Sequence, residues 1–368
     1  MHLNRITLSK FKNFEQLNFE PNLGFNFIIG DNGIGKTNLL DAIHYCCMTK
    51  SFFHKSDKFG IRKGEDYFRI ESSWKDELVA VQLNVKFKLG DIRQVECNGQ
   101  NYKKASDHLG RIPVVMITPN EIYTFIHETE ERRKFLNQTL VQLDSEYLHA
   151  LNQYNKLLVQ KMSLLKQRKI GLKEDEIVLD SYEAQMAKNA MIIFNKRNEL
   201  VESIQTLLNN YSLKISKGNQ ESKLEYYSDA NSNNLLEIWK KERDLDRFKG
   251  RVHSGIHRDK LECIFNGESL KNYGSQGQIK TFVMALRLAQ INYLMQHSKN
   301  KPIILLDDVF AKLDEKRVME LISLILEIGI EQCFITDTHL ERANKFIAKK
   351  RLPASVWNLQ NQNIELNA

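Results

Sequence analysis

An α/β fold interrupted by a helical insertion is what this sequence predicts, and three observations carry that prediction. Apolar runs with strand-like spacing dominate the first ~125 residues, a strand-helix texture returns near residue 250, and the stretch between reads as helix after helix. Strands alternating with helices imply a mostly parallel sheet. The predicted division is a core domain of residues 1–125 and 246–368, with a helical domain of 126–245 inserted between its halves. With 368 residues, 42% hydrophobic and 27% charged, the chain has a soluble globular composition and the length for two domains or one with an insertion.

The elements follow in order. Phe25-Asn26-Phe27-Ile28-Ile29 is a buried strand run, and residues 79–87 alternate at period two, as a half-buried strand does. Asn98-Gly99 is a hairpin turn signal. Residues 112–117 read as another buried strand, stopped by Pro119. From about Glu128 to Leu208 there is no proline and a single glycine, Gly171. Leu136, Leu140, Leu143, Tyr147, Leu151 and Tyr154 recur there at helical spacing, as do Met186, Ala190 and Ile193, so two or three long helices broken around Gly171 are expected. Residues 216–234 are polar and read as a loop or weak hairpin. A helix is expected from about Gly277 to Met295, strands at 302–306 and 332–336, and a helix between them around 316–326.

Chemistry concentrates at three places. Gly30-Asp31-Asn32-Gly33-Ile34-Gly35-Lys36-Thr37 meets the pattern G-x-x-x-x-G-K-[ST] between a predicted strand and a helix that opens on Asn38. Its glycines allow a tight turn that aims backbone N–H groups at phosphate oxygens, and the helix N-terminus adds partial positive charge. Lys36 would reach the outer phosphates of ATP and Thr37 would ligate Mg²⁺. Second, Leu305-Leu306-Asp307-Asp308 is an apolar strand ending in two acids. Asp307 suits the metal side, and Asp308 the base or positioner of the attacking water. Third, Tyr273-Gly274-Ser275-Gln276-Gly277-Gln278 leads into a helix and resembles, in variant form, the signature motif of ABC-type ATPases. Leu313-Asp314 then matches the D-loop, and Thr336-Asp337-Thr338-His339 stands where such ATPases place a switch residue.

The order of these motifs is that of ABC-type heads in the SMC-like branch. In that branch ATP lies between two heads, with Ser275, Gln276, Gly277 and Gln278 of one copy closing over the P-loop of the other. Nearer still, the chain resembles the bacterial RecF family of recombination proteins. The resemblance runs through Leu8-Ser9-Lys10-Phe11-Lys12-Asn13-Phe14, the P-loop, Lys50-Ser51-Phe52, Asn98-Gly99, Leu109-Gly110-Arg111, residues 131–136, Gly255-Ile256-His257-Arg258-Asp259, Ser275 to Gln278 and residues 305–314. Phe53 stands where that family usually has a basic residue, Asn120 where an acid is usual, and Lys312 in place of a common acid. The resemblance implies a cytoplasmic, slow, DNA-stimulated ATPase of replication and recombinational repair. Such a protein dimerises with ATP and binds gapped DNA, at single- and double-stranded regions. It acts with RecO- and RecR-type mediators in RecA loading, with a link to the SOS response. Its DNA contacts are expected mainly to phosphates. Arg132, Arg133 and Lys134, and further along Lys161, Lys166, Arg168 and Lys169, are the candidate positions for that surface.

Charge and cysteine usage fit without deciding the matter. A net charge of +7 is compatible with a polyanionic partner. Cys46, Cys47, Cys97, Cys263 and Cys333 form neither a C-x-x-C pair nor a disulfide framework, so reduced thiols are expected. No apolar run approaches the ~20 residues of a membrane helix, and no membrane partner or secretory leader is expected. A transporter-type ATPase subunit would carry the standard L-S-G-G-Q signature, and other SMC-like repair ATPases need longer coiled coils than 128–208 allow. No fused nuclease domain is expected, and the base-reading motif of a GTPase is missing, since Asn195-Lys196-Arg197-Asn198 lacks its acid.

Overall fold

The computed structural model describes residues 1–75, 79–166, 173–218, 221–232, 234–311, 315–350 and 352–367. It divides into two compact units, Met1–Ile122 with Leu286–Ala368, and Tyr123–Ala285. The first unit is thus built from both ends of the chain.

Two six-stranded sheets make up that unit. One is antiparallel and runs through Phe14–Phe19, His2–Phe11, Tyr67–Lys75, Ala80–Lys88, Gln94–Cys97 and Gln100–Asn101 in spatial order. Leu3 on one side and Ile6 and Leu8 on the other are all buried, although their spacing breaks strict alternation. A register shift between Leu3 and Arg5 absorbs the extra residue and returns the strand to phase. Asn98 and Gly99 both adopt positive φ, 50° and 79°, between Gln94–Cys97 and Gln100–Asn101. That is the type I′ geometry an Asn-Gly pair favours.

The other sheet has the order Asn363–Leu366, Ala354–Gln360, Gly24–Ile29, Gln332–Asp337, Ile303–Leu306, Val114–Ile117. All its neighbours pair in parallel except the terminal hairpin of Ala354–Gln360 with Asn363–Leu366. Strands buried on both faces carry no alternation, and Ile303–Leu306 and Gln332–Asp337 are buried at every position. The register sets Asp337 beside Ile29 and Leu306 beside Ile335. Three loops therefore leave the carboxyl ends of adjacent parallel strands side by side, where α/β sheets place ligands.

The second unit holds the helices Thr129–Leu140, Ser145–Lys166, Lys173–Ser216 and Leu235–Lys249. Asp144 accepts the Tyr147 amide at 2.9 Å and so starts the second of these. Tyr147, Leu151, Tyr154, Leu158 and Leu165 of that helix, and Leu179, Met186, Ala190 and Ile193 of the next, form the buried apolar seam. The expected break at Gly171 lies outside the described residues.

Two expectations need correction. Residues 216–234 are not merely loop: Ser222–Tyr227 is a strand, paired antiparallel with Lys260–Phe265. That pairing also draws residues 246–285 into the second unit, where the sequence had assigned them to the core domain.

Arg197 closes the interior of the second unit. Its guanidinium reaches Asp259 Oδ2 at 2.5 Å, the Ile256 carbonyl at 2.9 Å, Asn137 Oδ1 at 2.9 Å and the Tyr147 hydroxyl at 3.1 Å. Burial pushes the Asp259 carboxyl up, and the adjacent Arg197 charge opposes that shift. His257 Nε2 donates to the Val252 carbonyl, leaving Nδ1 to accept the Tyr154 hydroxyl at 2.9 Å. The Gly255–Asp259 segment thus serves the packing of this unit.

Candidate active site

The P-loop leaves the central strand Gly24–Ile29 and enters the helix Lys36–Met48. Gly33 and Gly35 hold φ of 82° and 118°, values that side chains rarely tolerate. At Gly35 a Cβ would also stand 2.5 Å from Asn13 Nδ2 and 2.8 Å from the Phe14 ring. Asn13 sits there for a purpose: its Nδ2 donates to the Ile34 carbonyl at 2.7 Å, and its Oδ1 accepts Asn38 Nδ2 at 2.7 Å. The antiparallel sheet therefore buttresses the loop through Asn13.

Lys36 folds back over the turn and donates to the carbonyls of Gly30 at 2.6 Å and Asp31 at 2.8 Å. Burial lowers its ammonium pKa, while Asp308, Asp307, Asp337 and Asp31 pull the other way. Thr37 donates its hydroxyl to Asp307, 2.9 Å from Oδ1 and 3.0 Å from Oδ2. Thr336, at the tip of the next strand, donates to the same Asp307 Oδ1 at 2.9 Å and accepts the Asp308 amide at 2.8 Å. One threonine thus fixes both acids. Burial raises the Asp307 carboxyl, and the two threonine hydroxyls restrain it.

Asp308 adopts φ of 43°, a left-handed conformation that costs energy in a residue other than glycine. Its carboxyl is raised, first by burial and then by the charge of Asp337, against the pull of Lys36 and Arg342. A half-buried acid with a raised pKa is suited to proton transfer with a water. Asp337 is fully buried; its Oδ1 accepts the amides of Thr338 at 2.6 Å and His339 at 3.3 Å and pairs with Arg342 at 3.1 Å. Asn32, Gly33, Lys36, Thr37, Asp307, Asp308 and Thr336 line a cleft of about 240 Å³.

The residues present fit a divalent cation of the Mg²⁺ kind. Thr37 Oγ1 and Asp307 are adjacent hard oxygen donors at the loop. Among the described residues no group of three or more His, Cys, Asp or Glu could hold a metal alone. Mg²⁺ is ordinarily held by one or two protein oxygens, with phosphate and water completing the shell.

Ser275 and Gln278 cap the N-terminus of the helix Gln276–His297 reciprocally: the Ser275 amide donates to Gln278 Oε1 at 2.8 Å, and the Gln278 amide to Ser275 Oγ at 3.3 Å. Ser275 and Gln276 are exposed. Asp314 and Leu313 lie outside the described residues, as do Arg168 and Lys169.

The basic cluster fares differently. Arg132 is buried, and its guanidinium donates to the carbonyls of Phe125 at 3.0 Å and Ile126 at 2.6 Å, which end the helix Pro119–His127. It satisfies carbonyls and is removed from any DNA-facing surface. Arg133 is half-buried and donates to the Asp259 carbonyl at 3.0 Å, and Lys134 lies 3.4 Å from Glu131. Lys161 is fully buried against Glu183 at 2.9 Å and Trp239, so it too leaves the candidate surface. Lys166 is exposed.

Comparison with known proteins now decides the family. A family model described as an AAA domain matches residues 5–345. The DNA replication and repair protein RecF of Flavobacterium johnsoniae is 36% identical over 98% of this chain and 100% of its own length. Its counterpart in Azobacteroides pseudotrichonymphae is 35% identical over 98% of both chains. The chain belongs to the RecF family. A solved structure of the recombination mediator protein RecF with ATP in the RecFOR pathway matches with a TM-score of 0.88 at 25% identity, covering 100% of this chain and 98% of that one. An Smc head bound to the C-terminal winged-helix domain of ScpA matches with a TM-score of 0.57 at 15% identity. The fold is that of an ABC-type, SMC-like ATPase head with an inserted helical subdomain, as the motif order of a RecF-type chain predicts.

Proposed function

We propose that this RecF-family chain is an ATP-gated DNA-binding ATPase of replication and recombinational repair, acting in the cytoplasm. The observation that carries the reading is the hydrogen-bonded set Thr37–Asp307–Thr336–Asp308, assembled beside the P-loop at the tips of three parallel strands. The N–H groups of residues 30–38 and the Lys36 ammonium bind and orient the phosphates. Thr37 and Asp307 would hold Mg²⁺, which when bound neutralises phosphate charge. Asp308 orients the attacking water and takes its proton. Burial, then the charge of Asp337 against those of Lys36 and Arg342, raises the basicity of that group, which the left-handed Asp308 backbone positions.

On this reading the γ-phosphate meets further groups on its outer side. Ser275, Gln276, Gly277 and Gln278 of a second copy supply them in the proposed ATP-dependent homodimer, with Asp314 at the same junction. The capped helix N-terminus at Ser275 is exposed and offers partial positive charge to an anion. Hydrolysis then opens the dimer, so ATP times residence on gapped DNA, on which RecO- and RecR-type mediators aid RecA loading and the chain is linked to the SOS response. DNA would stimulate a slow turnover.

Lys36→Ala is expected to abolish nucleotide binding, read by calorimetry with ATP and Mg²⁺. ATP binding to Lys36→Ala at the affinity of the unaltered chain would remove the P-loop from the account.

A further inference from the structure

A second surface of the first unit has a chemistry that the nucleotide site does not use. Residues 50–63 carry Lys50, Lys55, Lys58, Arg62 and Lys63 with one acid, Asp57, and Arg62 pairs outside the segment with Glu15 at 3.5 Å and Glu65 at 3.9 Å. Asp57 is already committed, to Arg93 at 3.0 Å and to the Tyr45 hydroxyl at 2.5 Å. Two phenylalanines stand out among these cations, Phe53 at 40% exposure and Phe59 at 53%. The His54 and Phe59 rings lie 5.0 Å apart and 30° from parallel. Lys12 Nζ sits 5.4 Å from the Phe53 ring centroid, and Lys58 Nζ 5.1 Å from that of Phe59.

Single exposed apolar residues are common and need no explanation. This pair differs because its loop is fixed from below. Asp41, fully buried in the helix Lys36–Met48, accepts Ser51 Oγ at 2.7 Å and the Phe52 amide at 2.7 Å, and pairs with Lys12 at 2.6 Å. Ser51 Oγ in turn accepts the amides of Phe53 at 3.2 Å and His54 at 3.1 Å. Asp41 and Ser51 thus hold the backbone at Phe53 and His54 on the helix that begins at the P-loop, while Phe59 stands on the short helix Asp57–Gly60, which Asp57 ties to Tyr45 and Arg93. Exposed π-faces interleaved with lysines match a strand whose bases are unpaired: bases stack on the rings and phosphates meet the cations. Duplex DNA, with its bases already stacked, has no use for the rings.

We propose that Phe53, His54 and Phe59 form a stacking platform for unpaired bases of single-stranded DNA. The proposal rests on the DNA-binding reading above and names which part of a gapped substrate this face takes.

The test uses the full chain with ATP and Mg²⁺, oligo(dT), and a blunt duplex of the same length. A Phe53→Ala, Phe59→Ala double variant should bind oligo(dT) about tenfold more weakly or worse, the range for lost base–aromatic stacks, with duplex affinity unchanged. Phe53→Trp keeps the ring and reports contact, since Trp74, Trp239 and Trp357 are buried. Its added emission should be quenched by oligo(dT) and not by duplex. If the double variant binds oligo(dT) normally, or loses both DNA forms equally, the platform is wrong. It is also wrong if oligo(dT) binds Phe53→Trp without quenching. A response of that emission to ATP alone would make this face a contact between copies and overturn the proposal. If the unaltered chain binds neither DNA form, the DNA-binding reading itself fails, and the platform with it.

Discussion

At the scale of single residues, the site turns on Thr336 more than on any glycine of the P-loop. Its one hydroxyl donates to Asp307 and receives the Asp308 amide. Thr336→Val keeps the shape and deletes both bonds. We predict a loss of about 1–3 kcal/mol in stability by urea unfolding, and a larger fall in turnover than in ATP affinity, because the acids are misplaced while the loop stays whole. Equal turnover in the two proteins would show that the bridge is irrelevant. The P-loop and Asp307-Asp308 were legible in sequence because their residue types and spacing are dictated by phosphate and metal chemistry. Thr336 was visible as part of a motif, but its bridging role was not, since it depends on which strand tips the sheet order makes neighbours. Asn13 was likewise known only from resemblance, and its contacts with Ile34 and Asn38 needed the structure. Arg132 and Lys161 show the opposite limit. A basic residue in a helical stretch reads as surface until the carbonyls or carboxylate that bury it are known. Arg132→Met should therefore cost about 2–3 kcal/mol of stability, the value of hydrogen bonds to a charged group, and leave DNA affinity in the folded protein unchanged. A selective loss of DNA binding at full stability would return Arg132 to the DNA surface.

At the scale of elements, the strands that periodicity revealed are those with one wet face or a long apolar run. Ser222–Tyr227 escaped because its sequence is polar and short, and its existence depends on Lys260–Phe265, far along the chain. The antiparallel sheet is tied to the helix Lys36–Met48 partly through His108. This ring is fully buried, its Nε2 2.8 Å from the Cys46 carbonyl and its Nδ1 3.2 Å from the Tyr102 hydroxyl. Burial, aided by the Arg111 charge and opposed by the Cys46 carbonyl, lowers its pKa to about 4. The sign follows directly. Above the unfolded value of about 6.5 both states are neutral and the contribution is intact. As pH falls toward 4 only the unfolded chain takes up the proton, so up to about 3 kcal/mol is lost across that window. His108→Gln should flatten the dependence of unfolding free energy between pH 6.5 and pH 4 relative to the unaltered chain. Parallel curves for the two proteins would mean that His108 titrates normally.

At the scale of the whole molecule, the central claim is that one chain carries two halves of an ATP site that meet only across two copies. The P-loop, Asp307 and Asp308 belong to one compact unit, and Ser275 to Gln278 to the other. The five cysteines are all free and buried, so no covalent link between copies is in play. Among the described residues no helix is long and apolar enough to cross a membrane. On the proposed reading nucleotide joins the two copies, and the joined state should outlast a turnover that has been stopped. The direct measurement is the molar mass of Asp308→Asn in solution by light scattering, with and without ATP and Mg²⁺. The account predicts a monomer without nucleotide and a stable dimer with it, lost again in the Lys36→Ala, Asp308→Asn double variant. An Asp308→Asn protein that binds ATP and Mg²⁺ yet remains monomeric would contradict it.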